Sequence, residues 1–397
     1  MRYGTVAIGE ICKYITSGGT PRSNIKEYYF PPEVPWLKTK EVNYFRIYET
    51  ETYISKEGLQ KSSAKLIPEN SIIVAMYGQG DTAGRVAINK IPLATNQACC
   101  NLIIDPQKAD YEYVYYAMVT LYEKIVSLKN GGAQPNLNAK IIREIEIPFP
   151  DIETQHRIAD ILSAYDDLIE NNKKQIKLLE EAAQRLYKEW FVDLHFPGYE
   201  NTKIIEGIPE GWTKSSLEEI CELQETIISV EELALNCPYI GLEHMPRKDF
   251  CLASFGQAQD SCGKKYFFEE DDIIFAKIRP YFHKVGFAIT SGVVSLDSFV
   301  IKSQKGFWGL LLMTMFSEDF VNYSYRTCKE GAKMPRADWN QMKKYYVKIP
   351  DDQIRKEFEE NIWSITRQIK VLAFQNKNLL EARDRLLPKL IQGEIDL

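Results

Sequence analysis

The sequence predicts an α/β fold in which two similar mixed α/β domains are separated by two long helices, packed as an antiparallel coiled coil. In residues 155–190 and again in 355–390, apolar side chains recur at alternating steps of four and three, the spacing of a heptad helix. The second segment also repeats the first literally at an offset of 200, because Lys177, Leu179, Glu181, Ala182, Arg185 and Leu186 return as Lys377, Leu379, Glu381, Ala382, Arg385 and Leu386. We therefore expect a tandem repeat with pseudo-twofold symmetry.

The regions outside the helices predict two related globular domains. Short apolar runs at 71–76 and 85–88 are separated by Gly, Asn and Pro, which indicates short strands, and helical spacing predicts one helix over 111–128. The landmarks return in order in the second half, where Ile-Ile-Phe-Ala at 273–276 follows the pattern of 72–75. The predicted boundaries are a first domain at 1–150, a long helix at 151–194, a linker at 195–208, a second domain at 209–348 and a long helix at 349–397.

The direction of the helix pair is predicted from two asparagines, one in each apolar seam. A buried asparagine is tolerated mainly where it meets another polar group, and it then fixes the register of the pair. Parallel packing in register would set Asn172 against Leu372, whereas antiparallel packing brings Asn172 and Asn376 within about one helical turn. We therefore predict an antiparallel pair, with the two domains at its opposite ends.

The charge distribution decides which partners are compatible with the chain. The net charge of -6 argues against nucleic acid, because neutralisation of phosphates by Lys and Arg supplies most non-specific affinity for DNA. The charges are unevenly spread, however: residues 209–272 carry 5 basic and 14 acidic side chains, while 273–348 carry 12 basic and 5 acidic ones. No apolar run is long enough to cross a membrane, so we expect no membrane partner and a cytoplasmic location.

Motifs for catalysis and cofactor binding are weak. A glycine-rich stretch at 78–84 follows a predicted strand, but the residues after it favour another strand and not the helix that binds phosphate. The four histidines and eight cysteines show no metal-ligand spacing. We predict no catalytic residue, no metal site and no cofactor, and hence a chain that is not an enzyme by itself.

Polar and basic residues in predicted loops are the candidates for contact with DNA. Gln and Asn can bond adenine edges, and Lys and Arg can bond guanine or phosphate. For each candidate, an ordinary solvated side chain is an equally good interpretation. The first domain supplies Lys38, Thr39, Lys40, Gln79, Arg85, Gln134 and Asn136, and the second supplies Lys277, Arg279, Tyr281, His283, Lys284, Lys333 and Arg336.

Several stretches together resemble a known family. Ile147-Pro148-Phe149-Pro150, the helix that follows it, and the terminal Leu386-Leu387-Pro388-Lys389-Leu390 are similar to those of specificity (S) subunits of type I restriction-modification systems. The resemblance implies two target-recognition domains that each read half of a split double-stranded DNA site, with the helices as a ruler. It also implies that two methyltransferase subunits dock on the helices and that restriction/translocase subunits join them.

Two further interpretations accompany this resemblance. Trp190 and Phe191, at the end of the first helix, are candidates for the subunit interface, although simple core packing is the stronger interpretation. A coiled-coil adaptor that joins two protein-binding lobes without contacting DNA is the alternative function.

Overall fold

The computed structural model describes residues 3–78, 80–129, 136–329, 331, 333–395 and 397. The chain divides into two compact units: unit 1 comprises Met1–Leu168 with Leu379–Leu397, and unit 2 comprises Ile169–Asn378. Each unit combines one mixed α/β body with segments of the two long helices.

The body of unit 1 consists of short strands and short helices that precede the first long helix. Its strands are β1 (Thr5–Ala7), β2 (Cys12–Ser17), β3 (Val34–Leu37), β4 (Arg46–Ile47), β5 (Tyr53–Ile54), β6 (Leu66–Ile67), β7 (Ile72–Ala75), β8 (Val86–Asn89), β9 (Leu93–Thr95), β10 (Cys99–Ile104) and β11 (Glu146–Pro148). Its helices are α1 (Ile8–Ile11), α2 (Lys56–Gln60), α3 (Tyr111–Thr120), α4 (Tyr122–Ser127) and α5 (Ala139–Arg143), and the long helix α6 (Ile152–Tyr187) follows.

Two sheets form the core of this body. The larger has the strand order β2-β10-β7-β8-β4, with every neighbouring pair antiparallel except β4 and β8. The smaller has the order β5-β3-β9-β6, in which β3 and β9 are parallel. Every residue of β7, β8 and β10 is buried, which explains why these strands read as continuous apolar runs and do not alternate.

The single helix predicted over 111–128 is instead two helices. The chain breaks at Leu121, whose φ of -99° and ψ of 11° lie outside the helical region. The hydroxyl of Thr120 donates to the carbonyl of Ala117 at 2.7 Å, which competes with the regular helical pattern. The hydroxyl of Tyr122 then donates to the carbonyl of Asp81 at 2.7 Å, so a tertiary contact fixes the new direction.

The body of unit 2 lies between the two long helices in the chain. Its strands are β12 (Ile204–Ile205), β13 (Ile208–Pro209), β14 (Thr213–Ser216), β15 (Cys221–Gln224), β16 (Ile227–Ser229), β17 (Pro238–Ile240), β18 (Cys251–Leu252), β19 (Gly256–Gln257), β20 (Lys264–Phe268), β21 (Ile273–Ala276), β22 (Val285–Ala288), β23 (Gly292–Val294), β24 (Ser298–Ser303) and β25 (Tyr346–Ile349). Its helices are α7 (Trp308–Phe316), α8 (Glu318–Arg326) and α9 (Trp339–Met342), and the long helix α10 (Asp352–Gln392) follows.

The topology of unit 2 repeats that of unit 1. The order β15-β24-β21-β22-β18 matches the larger sheet of unit 1, down to the one parallel pair, β18 with β22. The order β20-β23-β17-β19 matches the smaller sheet, to which unit 2 adds β16 at the edge. The predicted fold class of two similar mixed α/β domains is therefore confirmed.

Both long helices begin at an aspartate cap. The Asp151 carboxylate accepts from the N–H of Thr154 at 2.9 Å, and that of Asp351 accepts from the N–H of Gln353 at 2.9 Å. A π-helical turn, Lys188–Val192, ends α6. Near its own end α10 contains Pro388, which has no N–H to donate within the helix.

Within unit 2 the two helices run antiparallel. The side-chain amide of Asn172 lies 3.5 Å from the Oε1 atom of Gln375, while further along α6 the ring of Trp190 lies 5.7 Å from that of Phe358. Asn172 therefore meets the residue next to Asn376, within the one turn predicted. The Oδ1 atom of Asn376 is buried and has no hydrogen-bond partner among the described residues. That the two asparagines set the register stays a prediction.

Within unit 1 the helices have the same sense. Arg383 on α10 forms an ion pair with Asp166 on α6, and Arg157, nearer the start of α6, donates to the carbonyl of Leu397 at 3.2 Å. As the contacts move toward the start of α6, from Asp166 to Arg157, their partners move toward higher residue numbers, from Arg383 to Leu397. The prediction of an antiparallel pair is confirmed in each unit.

Candidate nucleic-acid interface

The candidate DNA-contacting residues of unit 2 meet where the β21–β22 hairpin pairs with the segment before α9. The N–H of Arg279 donates to the carbonyl of Pro335 at 2.8 Å, and the N–H of Ala337 donates to the carbonyl of Lys277 at 2.9 Å. This ladder places Arg336 opposite Ile278, which lies between Lys277 and Arg279 in the hairpin. We call residues 277–284 together with 333–337 the unit 2 loop edge.

The hairpin of the unit 2 loop edge is held in a fixed shape. Arg279 and His283 have positive φ angles of 50° and 54°, and a 3₁₀ turn, Pro280–Phe282, lies between them. The His283 ring is 3% exposed, and its Nε2 lies 2.7 Å from the carbonyl oxygen of Phe316. Burial lowers the pKa of His283 below its usual value. His283 is thus placed inside unit 2, where it anchors the loop and is not exposed to a ligand.

Two lysines of the unit 2 loop edge are tied to backbone carbonyls. The ammonium of Lys277 donates to the carbonyl of Leu296 at 2.9 Å, and that of Lys284 donates to the carbonyl of Leu242. Burial lowers the pKa of each lysine, and neighbouring arginines act in the same direction. Both cations are consequently positioned by the protein and are not mobile surface charges.

The remaining candidates of this edge are more exposed. Lys333 and Arg336 are exposed, and Arg336 forms an ion pair with Asp297 at 2.9 Å. The Tyr281 ring is 48% exposed and lies 5.3 Å from that of Tyr325, which is 47% exposed. Tyr325 was not predicted from the sequence, because α8 brings it here only in the folded chain. The edge therefore combines cations with exposed aromatic rings, a composition suited to nucleic acid.

Unit 1 builds a similar edge with different side chains. The N–H of Leu137 donates to the carbonyl of Met76 at 3.0 Å, the counterpart of the Ala337–Lys277 bond, and Asn136 beside it is exposed. Arg85 forms an ion pair with Asp81 at 2.6 Å and donates to the side chain of Asn43 at 2.8 Å. The predicted contacts Gln79 and Gln134 lie outside the described residues.

The candidates Lys38, Thr39 and Lys40 lie on a separate turn of unit 1. The Lys38 ammonium is 5.2 Å from the centre of the Trp36 ring, and Lys40 forms an ion pair with Glu51. Lys40 lines a groove of about 530 Å³ that also carries three carboxylates, those of Glu41, Glu49 and Glu51. The local charge around Lys40 is therefore acidic, which makes this groove a poor site for phosphate.

Trp190 and Phe191 are packed inside unit 2. They are 7% and 5% exposed, and the ring of Phe191 lies 4.7 Å from that of Phe358 and 5.4 Å from that of Trp212. This placement matches the core-packing interpretation of the two residues. Their part in a subunit interface stays a prediction.

Buried carboxylates attach the body of unit 2 to the helices. One oxygen of Glu180 on α6 accepts from the N–H groups of Phe250 and Cys251, both at 2.9 Å. The carboxylate of Glu359 on α10 accepts from two N–H groups in the first turn of α7, those of Gly309 and Leu310, at 2.8 and 2.9 Å. Burial raises the pKa of Glu180 to about 7 and raises that of Glu359 as well. These carboxylates fix segments of the unit 2 body to the helix segments of the same unit.

The described residues show neither a candidate metal cluster nor a membrane-spanning helix. No group of three or more His, Cys, Asp or Glu side chains there could hold a metal ion. The glycine-rich stretch at 78–84 leads into β8 and not into a helix. Within the same residues, every helix is too short or too polar to cross a bilayer.

Comparison with known proteins identifies the family. Residues 2–181 match the model of the type I restriction modification DNA specificity domain. The chain is also 30% identical over 412 aligned positions to the type I restriction enzyme MjaIX specificity subunit of Methanocaldococcus jannaschii, an alignment that covers 98% of this chain and 91% of that one. This chain belongs to the type I specificity subunits.

Other members of the family agree with this assignment. The EcoR124I/EcoR124II specificity subunit of Escherichia coli is 31% identical over 48% of this chain and 47% of its own. The crystal structure of the type I restriction-modification S subunit from M. genitalium has the same fold, with a TM-score of 0.59 and 18% identity over 100% of this chain and 97% of that one. Specificity subunits are recognition components, so the prediction that the chain is not an enzyme is confirmed.

Arg247 is a basic residue at this interface that the sequence analysis missed. Its guanidinium carbon lies 3.9 Å from the centre of the Phe282 ring, within the unit 2 loop edge. The Arg247-Lys248 pair lies in the acid-rich stretch 209–272. The candidates of unit 2 were sought in the basic stretch 273–348, and this pair was therefore not considered. An isolated basic pair within an acidic segment is the signal that could have identified it.

Proposed function

We propose that the two recognition bodies of this specificity subunit each read one half of a bipartite double-stranded DNA site. The observation that carries the proposal is the repeated loop edge: each unit pairs its central hairpin with the segment before the last strand of its body, in sheets of the same order. Only the first copy lies wholly within the residues matched by the specificity-domain model. The repeat supports the same role for unit 2, and in this proposal 1–150 and 209–348 are the two target-recognition domains.

The two long helices, 151–194 and 349–397, serve in this proposal as a spacer and as the docking platform for two methyltransferase subunits. Exposed apolar side chains on the helix segments of unit 2 support a docking role. Leu178 is 65% exposed, Val371 56% and Phe374 39%, and the last two are three residues apart, so they share a face of α10. Restriction/translocase subunits would join this assembly, which acts on cytoplasmic DNA.

Mapping of methylated adenines tests the proposal. The full chain is expressed with its methyltransferase subunits in a host that lacks adenine methylation, and the modified positions are read from the genome. We expect one split motif. Exchange of 209–348 for the corresponding domain of a relative should change one half of the motif and leave the other half intact.

The outcome also separates this function from the alternative of a non-DNA-binding adaptor. An adaptor would give no motif, and the complex would show no salt-dependent retardation of duplex DNA in a gel. Insertion of one heptad at matched positions in α6 and α10 should change only the gap between the half-sites. A change of the bases within a half-site would contradict the assignment of the helices as spacer.

A further inference from the structure

Two arginines in unit 2 share one aromatic ring. The guanidinium carbon of Arg247 lies 3.9 Å, and that of Arg279 lies 5.7 Å, from the centre of the Phe282 ring. Stacking on an aromatic face holds a guanidinium flat and leaves its N–H edge free to donate. The ring of Tyr281 lies 4.9 Å from that of Phe282 in an edge-to-face contact, and so supports the platform from the side.

The backbone fixes Arg279 in a conformation that an arginine rarely adopts. Its φ of 50° and ψ of 60° are left-handed, a region that costs a residue with a Cβ atom about 1–2 kcal/mol. The matching position in the unit 1 hairpin, two residues after Met76, is Gly78, which has no side chain. Such strained conformations persist where the surrounding structure fixes them, and they cluster at ligand-binding sites. The hydrogen bond from the N–H of Arg279 to the carbonyl of Pro335 holds this backbone, and so fixes the point from which the guanidinium projects.

The hydrogen-bonding state of the two arginines distinguishes them from nearby cations. Lys277 and Lys284 donate to backbone carbonyls, and Arg336 and Lys248 form ion pairs with Asp297 and Glu318. Arg247 and Arg279 form no ion pair with any of the described residues, and the buried Nε of Arg279 lacks an acceptor among them. Arg247 is exposed and Arg279 is half-buried, so their terminal N–H groups remain available to a ligand.

We propose that Arg247 and Arg279 each read a guanine in the half-site recognised by unit 2, through the O6 and N7 acceptors in the major groove. The inference rests on the proposed function, because it assumes that the unit 2 loop edge faces DNA. Arginine donates two parallel hydrogen bonds to O6 and N7, an arrangement that no other base edge offers. Phe282 supplies the platform, while Lys333 and Arg336 lie where they can contact phosphate. Unit 1, with glycine at the position of Arg279, reads its half-site by other contacts.

Methylation mapping of arginine variants gives the first test. Arg247→Gln and Arg279→Gln in the full chain, expressed with the methyltransferase subunits, should each relax or alter one guanine position of the unit 2 half-site, because glutamine favours adenine. The other half-site should stay unchanged. Arg326→Gln, an exposed change on α8 outside the loop edge, serves as the control and should leave the motif intact. Absence of guanine from the unit 2 half-site, or unchanged motifs in both variants, would overturn the inference.

Base analogues give the second test, with purified complex and a duplex that carries the mapped motif. Replacement of the target guanine by 7-deazaguanine removes N7 and should weaken binding of the wild type by about 5- to 150-fold. Inosine keeps O6 and N7 and should bind nearly as well as guanine. Arg279→Gln should be insensitive to the 7-deaza change at its own guanine. Equal losses in wild type and variant would contradict a contact to N7.

A conservative variant keeps the test valid if glutamine disturbs folding. Arg279→Lys retains the charge, and its ammonium can still donate to O6 and N7 without the planar fork. It should therefore keep guanine at this position with weaker discrimination than the wild type, while the salt dependence of binding stays that of the wild type. A wild-type complex without any motif would refute the proposed function itself. A wild-type motif that no arginine variant alters would refute only the present inference.

Discussion

The N–H of Phe250 donates to the Glu180 carboxylate at 2.9 Å, so a group on α6 holds the strand β18 of unit 2. The same oxygen accepts from Cys251, and burial with the nearby Asp249 raises the pKa of Glu180 to about 7. Because an acid whose pKa is raised on folding binds its proton more tightly in the native state, its contribution is most favourable below about pH 4.5. Stability is lost as the pH rises to about 7.

Glu180→Gln should remove this pH dependence. The glutamine oxygen can accept both N–H groups, since one carboxylate oxygen accepts both in the wild type. As the pH rises from 4.5 to 8, we expect the wild type to lose about 3 kcal/mol of unfolding free energy relative to the variant. Urea unfolding at several pH values measures it. Exposed Glu181→Gln is the matched control, and a variant that parallels the wild type would refute the assignment.

Asp166→Asn should destabilise unit 1 by about 1–3 kcal/mol. Asp166 pairs with Arg383 and accepts from the hydroxyl of Tyr116 at 2.6 Å. Loss of its charge leaves the largely buried guanidinium of Arg383 with Asp384 as its one ion-pair partner among the described residues. The double variant Asp166→Asn/Arg383→Met should recover much of the loss. Thermal unfolding of the four proteins measures the coupling, with exposed Asp160→Asn as a control. Additive effects of the two changes would contradict it.

Gly286→Ala should disrupt the sheet of unit 2. A Cβ atom at this position would lie 2.3 Å from the carbonyl oxygen of Phe250, a backbone atom that cannot move without breaking the β18–β22 pairing. We expect a loss of at least about 2 kcal/mol in unfolding free energy. Gly4→Ala has no atom within 4 Å of the added Cβ and should be neutral in the same denaturation assay.

Lys333→Ala and Arg336→Ala should reduce the salt dependence of DNA binding. Each exposed cation on the unit 2 loop edge that neutralises one phosphate adds about one unit to the slope of log K against log salt. Titrations of the complex at several salt concentrations measure this slope. The exposed linker change Lys203→Ala should leave it unaltered. If the loop-edge variants kept the wild-type slope, these residues would not contact phosphate.

The sequence predicted what depends on local periodicity. The heptad spacing of apolar residues predicted the pair of long helices. The uniformly apolar runs predicted the central strands β7 and β21, because a strand that is buried on both faces has apolar residues at successive positions. What tertiary contacts decide could not be predicted in this way. The break at Leu121 depends on Tyr122 reaching Asp81, and the burial of His283 depends on Phe316.

The candidate interface was predicted only in part for the same reason. The basic character of residues 277–284 was evident from their composition, whereas their pairing with 333–337 is seen only in the folded chain. Arg247 was missed because its contact with the Phe282 ring joins two segments that are far apart in the sequence.

Pro388 weakens the last turns of α10. Without an N–H at this position the carbonyl of Asp384 lacks its helical donor, so the last turns are joined to the rest of the helix by fewer hydrogen bonds. Buried Leu390 and Ile391 nevertheless keep that end in the core of unit 1. The end of α10 should therefore fray as a separate step, with its amide protons exchanging with solvent faster than those of the central turns.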